Sequence, residues 1–372
     1  MSPAATLASL LLLSTPVFSL PPVLGGPSKS CPPVKGDFYI PVQNLNPENA
    51  DWDPTTCKLY LSSIYNCTIV AYDPYTNTSK ITDLPITNYG EFHEAPYHLA
   101  GIDFDAATGH VWVTGSPDTS FAASSTGNYS LANYTGIDFV YRFDPKKSKV
   151  LNEFSMKPVQ DAYVKKMGGN NRTSGFQDTA SNTCGDTFVI GTFGNSIVKI
   201  ARGANKASLW YTPAQYSPVY GFGGIFSLGD KLVVSDTLTL SFVTFDSQAP
   251  QGKATYVPIQ GLPSNYTPPR ADGLYAPKRY GGKVALWADD LFGTGVYGSK
   301  DEWKTAAFLG LVPIDPTIKA TGGYTTASFE IGDRIFTNSE FFQPKLPQKL
   351  KTLYPILDIT DAVDAFAKDY RS

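Results

Sequence analysis

Six short, largely apolar segments recur along this chain, and they restrict its fold more than any other feature. They are Lys58-Leu-Tyr-Leu-Ser, His110-Val-Trp-Val-Thr, Thr187-Phe-Val-Ile-Gly, Lys231-Leu-Val-Val-Ser, Lys283-Val-Ala-Leu-Trp and Arg334-Ile-Phe-Thr-Asn. Their second residues fall at 59, 111, 188, 232, 284 and 335, so the intervals are 52, 77, 44, 52 and 51. A period near 50 residues with several short strands per unit marks a propeller, in which each sheet buries its faces against its neighbours. The one long interval holds the polar stretch Ser116 to Gly136, which reads as a loop inserted into the second repeat.

The best-defined unit runs from Ala271 to Asp290. It opens with Asp-Gly, turns at Gly281-Gly282, and continues as Val284-Ala-Leu-Trp287 into Asp289 and Asp290. That order is the front half of a blade. Third strands follow at Thr68-Ile-Val-Ala-Tyr-Asp-Pro, Phe139-Val-Tyr-Arg-Phe-Asp-Pro, Ser196-Ile-Val-Lys-Ile and Leu240-Ser-Phe-Val-Thr-Phe-Asp. The Asp-Pro at strand ends is turn chemistry, because Pro fixes φ and Asp bonds to the backbone beyond it. Lys80-Ile-Thr-Asp-Leu and Ala207-Ser-Leu-Trp-Tyr read as outer strands. About forty residues follow the sixth marker, broken by Pro344 and Pro347. Asp37-Phe-Tyr-Ile-Pro-Val could supply the strand missing there and close the ring, since an open propeller leaves two unpaired edges. Thr360-Asp-Ala-Val-Asp-Ala-Phe-Ala-Lys reads as a short capped helix, and nothing else looks helical. The expected fold is all-β, a single six-bladed β-propeller over residues 20–372, with the N-terminal strand as the candidate closure.

Leu7 to Leu13 followed by Val17-Phe18-Ser19 predicts a secretory signal over residues 1–19, although it lacks the usual basic start. The run is too short to span a bilayer, and no later stretch approaches about 18 apolar residues. Six Asn-X-Ser/Thr sequons, at Asn66, Asn77, Asn128, Asn133, Asn171 and Asn265, point to the same secretory, N-glycosylated route. Cys31, Cys57, Cys67 and Cys184 allow up to two disulfides in three connectivities. Cys57 and Cys67 flank one hairpin out of register, which argues against that pair. Without CxxC spacing and with only three histidines, a structural zinc site is not expected. A formal charge of −3 with scattered basic residues excludes the basic stripe that nucleic acid requires.

In a propeller, the loops entering the inner strands and those between second and third strands meet on one face around the axis. The inner-strand starts carry Asn49 and Asp51, His98, Gln177 and Asp178, Tyr220 and Phe222, Arg270 and Asp272, and Tyr324. The second loops add Tyr65, Thr192 and Asn195, Asp236, Asp289 with Asp290, Phe292, Asn338 and Glu340. Together they predict an axial pocket mixing aromatics, a few carboxylates and one Arg, the character of a small-molecule site. The candidate catalytic groups are Asp272, Asp289, Arg270 and His98. Tyr65, Gln177, Tyr220, Phe222, Asp236, Phe292, Tyr324, Asn338 and Glu340 are candidate substrate contacts.

Each has a plain structural reading beside the functional one. Asp272-Gly could simply turn the chain, Asp289 and Asp290 could be solvated strand ends, and His98 could be a hydrogen-bonded structural residue. Arg270 could pair with Asp272, and the aromatics could pack between blades. Axial carboxylates also suit calcium, yet the inner strands lack the repeated Glu and Asn of calcium-dependent lactonase propellers, so no metal is expected. Gly293-Thr-Gly-Val-Tyr-Gly298 matches GxGxxG, but without a following helix it reads as a glycine-rich strand connection. No G-x-S-x-G or H-E-x-x-H motif offers a nucleophile or a zinc site.

Within this frame the chain resembles a fungal propeller family. The likeness rests on the leader, on Ala50-Asp-Trp-Asp-Pro before Lys58-Leu-Tyr-Leu-Ser-Ser, and on Leu99-Ala-Gly-Ile-Asp-Phe-Asp before His110-Val-Trp-Val-Thr. It also rests on Ala271-Asp-Gly-Leu-Tyr through Trp287-Ala-Asp-Asp. That family includes the Malassezia propeller allergen, the propeller protein of trichothecene clusters and the hetero-Diels–Alderases of tropolonic sesquiterpenoid clusters. The resemblance implies cofactor-free cyclisation of a small apolar or aromatic substrate. A hydroxymethyl tropolone would lose water to an o-quinone methide, which then adds to a humulene-type alkene. It also leaves open ring closure on a sesquiterpene alcohol, or non-catalytic lipid binding. No exact catalytic residue carries over.

Overall fold

All six sequence markers form the second strand of an antiparallel meander. The computed structural model describes residues 31–84, 97–117, 119–120, 136–169, 171–264, 266, 271–289, 291–341 and 352–371. After β1 (Phe38–Ile40), the first sheet is β2 (Pro47–Asp53), β3 (Lys58–Ser63), β4 (Thr68–Asp73) and β5 (Thr78–Asp83). The second is β6 (Tyr97–Asp105), β7 (His110–Pro117), β8 (Phe139–Asp144) and β9 (Lys149–Ser155). The third is β10 (Ser174–Ser181), β11 (Thr187–Phe193), β12 (Ser196–Ile200) and β13 (Ser208–Tyr211). Strand ends carry the Asp turns read from the sequence. Asp53, Asp73, Asp105, Asp144 and Asp246 each accept a backbone N–H two residues on, from Thr55, Tyr75, Ala107, Lys146 and Gln248.

The next two meanders fuse. β14 (Phe222–Leu228), β15 (Lys231–Asp236), β16 (Ser241–Asp246) and β17 (Thr255–Gln260) form one. β18 (Ala271–Tyr275), β19 (Val284–Asp289), β20 (Gly293–Gly298) and β21 (Ala306–Pro313) form the other. Their outermost strands β17 and β21 pair in parallel through Ile259↔Ala306 and Gln260↔Ala307, giving one eight-stranded sheet. The expectation of six separate sheets is therefore met at four of them, because this outer bridge merges the other two units. The arrangement is all-β and propeller-like. First strands pack side by side in a cycle, β2 on β6, then β10, β14, β18 and β22 (Gly323–Ile331), which returns to β2.

The last sheet runs β22, β23 (Arg334–Phe341), β24 (Tyr354–Asp358) and then β1. The N-terminal strand thus supplies the outer strand of the C-terminal sheet, with Phe38↔Ile356 and Ile40↔Tyr354 in register. Leu59, Leu61 and Val70 of the first sheet pack with Phe329, Phe336 and Ile356 of the last, which buries the seam. The Asn338 amide reinforces it, donating to Pro47 O at 2.9 Å and Glu48 O at 3.1 Å. Of the possible disulfides one forms, Cys31–Cys57, while Cys67 and Cys184 are free thiols.

Two sequence expectations need correction. Helices beyond the C-terminal one exist: α1 (Lys157–Met167) and α2 (Pro316–Ala320) precede α3 (Thr360–Phe366). Pro158 and Pro316 each occupy a first-turn position, where the missing N–H costs nothing. The predicted cap of α3 is also absent, since its N-cap residue Ile359 has no side-chain acceptor. Second, Gly293–Gly298 is the strand β20 itself and not a connection. No described helix is long and apolar enough to cross a membrane.

Candidate functional site

The register of every first strand slips once, near its leading end. The slips lie between Pro47 and Ala50, Leu99 and Ile102, and Phe176 and Asp178 on the first three sheets. They recur between Phe222 and Ile225, Ala271 and Leu274, and Thr325 and Ala327. A bulge releases residues from the ladder and re-aims their side chains. Gln177 and Asp272 are two such released residues. At Gly101 and Gly224 the bulged strands approach so closely that a Cβ would lie 2.3 Å from Gln177 O and 2.2 Å from Leu274 N.

Gln177 and Asp272 meet although β10 and β18 are not adjacent. The Gln177 Nε2 donates to Asp272 Oδ1 past the intervening strand β14. Its Oε1 accepts from Thr192 Oγ1 at 2.9 Å and from Tyr220 Oη at 2.8 Å. Thr192 Oγ1 also points at Phe222 O, 2.8 Å away. Four predicted side chains, from three different stretches of sequence, therefore form one hydrogen-bonded platform. Its amide has a fixed orientation, since donors occupy one end and a carboxylate the other.

Behind this platform, carboxylates staple neighbouring strands. Asp178 accepts from Ile225 N and Thr179 N, both at 2.9 Å, and Asp51 from Phe104 N at 2.7 Å and Trp52 N at 2.8 Å. Burial pushes Asp178 up to about 7 and Asp51 up to about 6, against the bonds that favour their ionised forms. Burial, then the charges of Asp51 and Asp178, hold Asp103 well above the usual carboxylate range. Among the described residues, no group of three or more His, Cys, Asp or Glu is arranged to hold a metal ion.

The other predicted residues divide. His98, opposite Ser116 at the start of β6, is buried and meets the Tyr65 ring edge-on at 5.5 Å. Tyr324 is half-buried opposite the buried Glu340. Phe292 is half-buried and packs on Tyr266, with ring centroids 5.5 Å apart. Phe222 is not a site wall: it is buried between sheets and stacks on Tyr211 at 6.1 Å. Asn338 serves the seam described above. Asp236 caps its own turn, accepting from Leu238 N and Thr239 Oγ1. Asp289 likewise accepts from Leu291 N and Phe292 N, and Asp272 lies in a strand bulge and not in a turn. Arg270, Asp290, Asn128, Asn133, Asn265 and the leader lie outside the described residues. Asn66 and Asn77 are exposed in turns, and Asn171 is half-buried ahead of β10.

The platform itself is polar, and of the predicted aromatics Phe222 packs between sheets. Large rings went between sheets, where more apolar area leaves water. One buried residue escaped sequence reading. Asp138, just past the inserted loop, accepts from Ser116 Oγ at 2.6 Å, Gln160 Nε2 at 2.8 Å and Ser174 Oγ at 2.9 Å. It locks the trailing end of β7 to the leading end of β10, and its position in an irregular segment gave no periodic signal.

No family model matches the chain. It is 27% identical over 363 residues to trichothecene biosynthesis protein 14 of Trichoderma arundinaceum, covering 92% of each chain. It is also 27% identical over 324 residues to core trichothecene cluster protein 14 of Fusarium sporotrichioides, covering 82% of this chain and 79% of the relative. The crystal structure of the Malassezia sympodialis allergen Mala s 1 matches its fold with a TM-score of 0.70 at 18% identity, over 88% of this chain and 96% of the allergen. The chain is thus similar in sequence to fungal proteins of trichothecene clusters and shares the fold of the allergen.

Proposed function

We propose that the protein is a cofactor-free cyclase of fungal secondary metabolism, and that it works as a single six-bladed propeller with the fused sheet counting as two blades. The reaction is dehydration of a hydroxymethyl tropolone to an o-quinone methide, followed by hetero-Diels–Alder addition to a humulene-type sesquiterpene. The observation that carries this reading is the oriented platform of Gln177, Asp272, Thr192 and Tyr220 at the ring axis. Such fixed hydrogen-bonding groups suit a substrate whose oxygens must be held while a hydroxyl leaves. The rings of Tyr65, Tyr220 and Phe292, with the exposed Leu238 and Leu291, give this face apolar contacts for holding two partners in one orientation.

A second reading, ring closure on a sesquiterpene alcohol, is favoured by the names of the relatives, which place them in trichothecene biosynthesis. The two share a hydroxylated terpenoid substrate and differ in the partner ring. Incubating purified protein with a hydroxymethyl tropolone and humulenol tests the first: adduct formation should accelerate over boiled protein and give one stereoisomer. Equal rates, with turnover of a sesquiterpene alcohol instead, would select the second. Secretion after cleavage at residues 1–19 and N-glycosylation belong to the same proposal, and the Cys31–Cys57 bond is compatible with an oxidising compartment.

A further inference from the structure

Between the fourth and fifth meanders, polar atoms converge that the platform does not use. On β19 the side chains of Ala285, Trp287 and Asp289 share one face. Their partners on β20 are Tyr297, Gly295 and Gly293. Two glycines therefore lie beside Trp287 and Asp289, and the Tyr297 ring leans into the room they leave. A Cβ on Gly295 would fall 3.0 Å from the Tyr297 hydroxyl and 3.1 Å from that of Tyr266. Asp289 Oδ1 is engaged by its own turn, but Asp289 Oδ2 and Trp287 Nε1 are buried with no hydrogen-bond partner among the described residues, while the Tyr297 hydroxyl has the Tyr266 hydroxyl beside it. Trp287 and Tyr297 are 1% and 0% exposed, and Asp289 0%.

Buried polar atoms without partners are rare, and two on one face of a strand, one a donor and one an acceptor, imply an occupant that satisfies them. The two atoms differ in kind. The indole N–H can only donate, and the carboxylate oxygen accepts. An oxygen that accepts from Trp287 while donating to Asp289 satisfies both atoms that lack a partner. We propose that this inter-sheet pocket binds a single O–H group, held between Asp289 Oδ2 and Trp287 Nε1 beside the paired hydroxyls of Tyr297 and Tyr266. That group belongs either to an ordered water or to a ligand alcohol entering beside Phe292, which packs on Tyr266 at the pocket's edge. The alcohol source rests on the function proposed above, where the substrate carries a hydroxymethyl group. The pocket itself does not.

Two measurements test it without relying on turnover. A crystal structure at atomic resolution should show an ordered oxygen within hydrogen-bond distance of Asp289 Oδ2 and Trp287 Nε1. Calorimetry should compare benzyl alcohol with ethylbenzene, which has nearly the same shape and no hydroxyl. An ordered oxygen with no preference for benzyl alcohol assigns the pocket to water. A preference of tenfold or more, lost in Asp289→Asn and Trp287→Phe, assigns it to an alcohol. Asp289→Asn keeps the oxygen that caps the turn, and Tyr297→Phe keeps the ring, so folding is preserved while the pocket's donors and acceptors change. No ordered oxygen and no preference, or a preference unchanged in all three variants, overturns the proposal. Either result stands whether or not cyclisation is ever observed.

Discussion

Gln177 donates a hydrogen bond to Asp272, 95 residues later, across a strand that belongs to neither. The contact is possible because both residues sit at bulges, where the ladder releases them toward the axis. It ties the third meander to the fifth and fixes which end of the Gln177 amide faces Thr192 and Tyr220.

Replacing Gln177 with Leu should lower kcat/KM by roughly 10- to 100-fold, because the platform loses its orientation while the strands remain paired. Gln177→Glu should be worse, since it sets a second negative charge against Asp272. Steady-state kinetics beside far-ultraviolet circular dichroism separates loss of activity from loss of fold.

At the seam, Asn338→Leu removes a donor to Pro47 O, Glu48 O and Thr326 Oγ1. The loss should cost roughly 2–4 kcal/mol, as buried acceptors lose their partner. Urea denaturation monitored by tryptophan fluorescence would show this as a lower midpoint.

Thiol titration of the denatured, unreduced protein should find two reactive cysteines, Cys67 and Cys184. Reducing Cys31–Cys57, which encloses a 26-residue separation, should lower stability by roughly 2–4 kcal/mol. The anchored N-terminal segment leads directly into β1, so the outer strand of the last sheet should exchange its amide hydrogens first.

Asp51 and Asp138, each pushed up to about 6, and Asp178, pushed up to about 7, owe their shifts first to burial. Each folded value lies above the ordinary value of 3.8, so the folded chain holds more protons than the unfolded one between about pH 4 and 7. Their contribution is therefore most favourable at the acid end of that window and is lost as pH rises through 6 to 7. Urea midpoints at pH 5 and 8 should show the decline. Asp103→Asn, by removing a charge beside Asp51 and Asp178, should raise stability at pH 8 by about 1 kcal/mol. An unchanged or lowered midpoint would contradict that account.

Much of the architecture is local information. A short run of β-branched and apolar residues such as Leu-Val-Val in Lys231-Leu-Val-Val-Ser favours a strand, and Asp at a strand end specifies its turn. The position of Asp37-Phe-Tyr-Ile, opposite a C-terminal sheet one strand short, made the closure of the ring readable as well. The helix α1 was missed because its buried residues, Val159, Gln160 and Tyr163, make only a weak apolar stripe.

The site behaved differently. Sequence placed Gln177, Tyr220 and Asp272 at inner-strand starts and Thr192 in a loop after a second strand. The structure has Gln177 and Asp272 near the starts of β10 and β18, Tyr220 just ahead of β14 and Thr192 near the end of β11. Sequence, however, treated Phe222, Asn338, Asp236 and Asp289 as their equals. Gln177 and Asp272 fall in register shifts that free them from the ladder, whereas Asn338, Asp236 and Asp289 keep ladder partners. The amino-acid order determined the strands, their turns and the period of the ring, because those depend on neighbours along the chain. Only the packed ring decided which residues face the axis, that Asn338 closes a seam, and that Gln177 meets Asp272. Bulges arise where six backbones crowd one centre, and that crowding has no counterpart in any single segment.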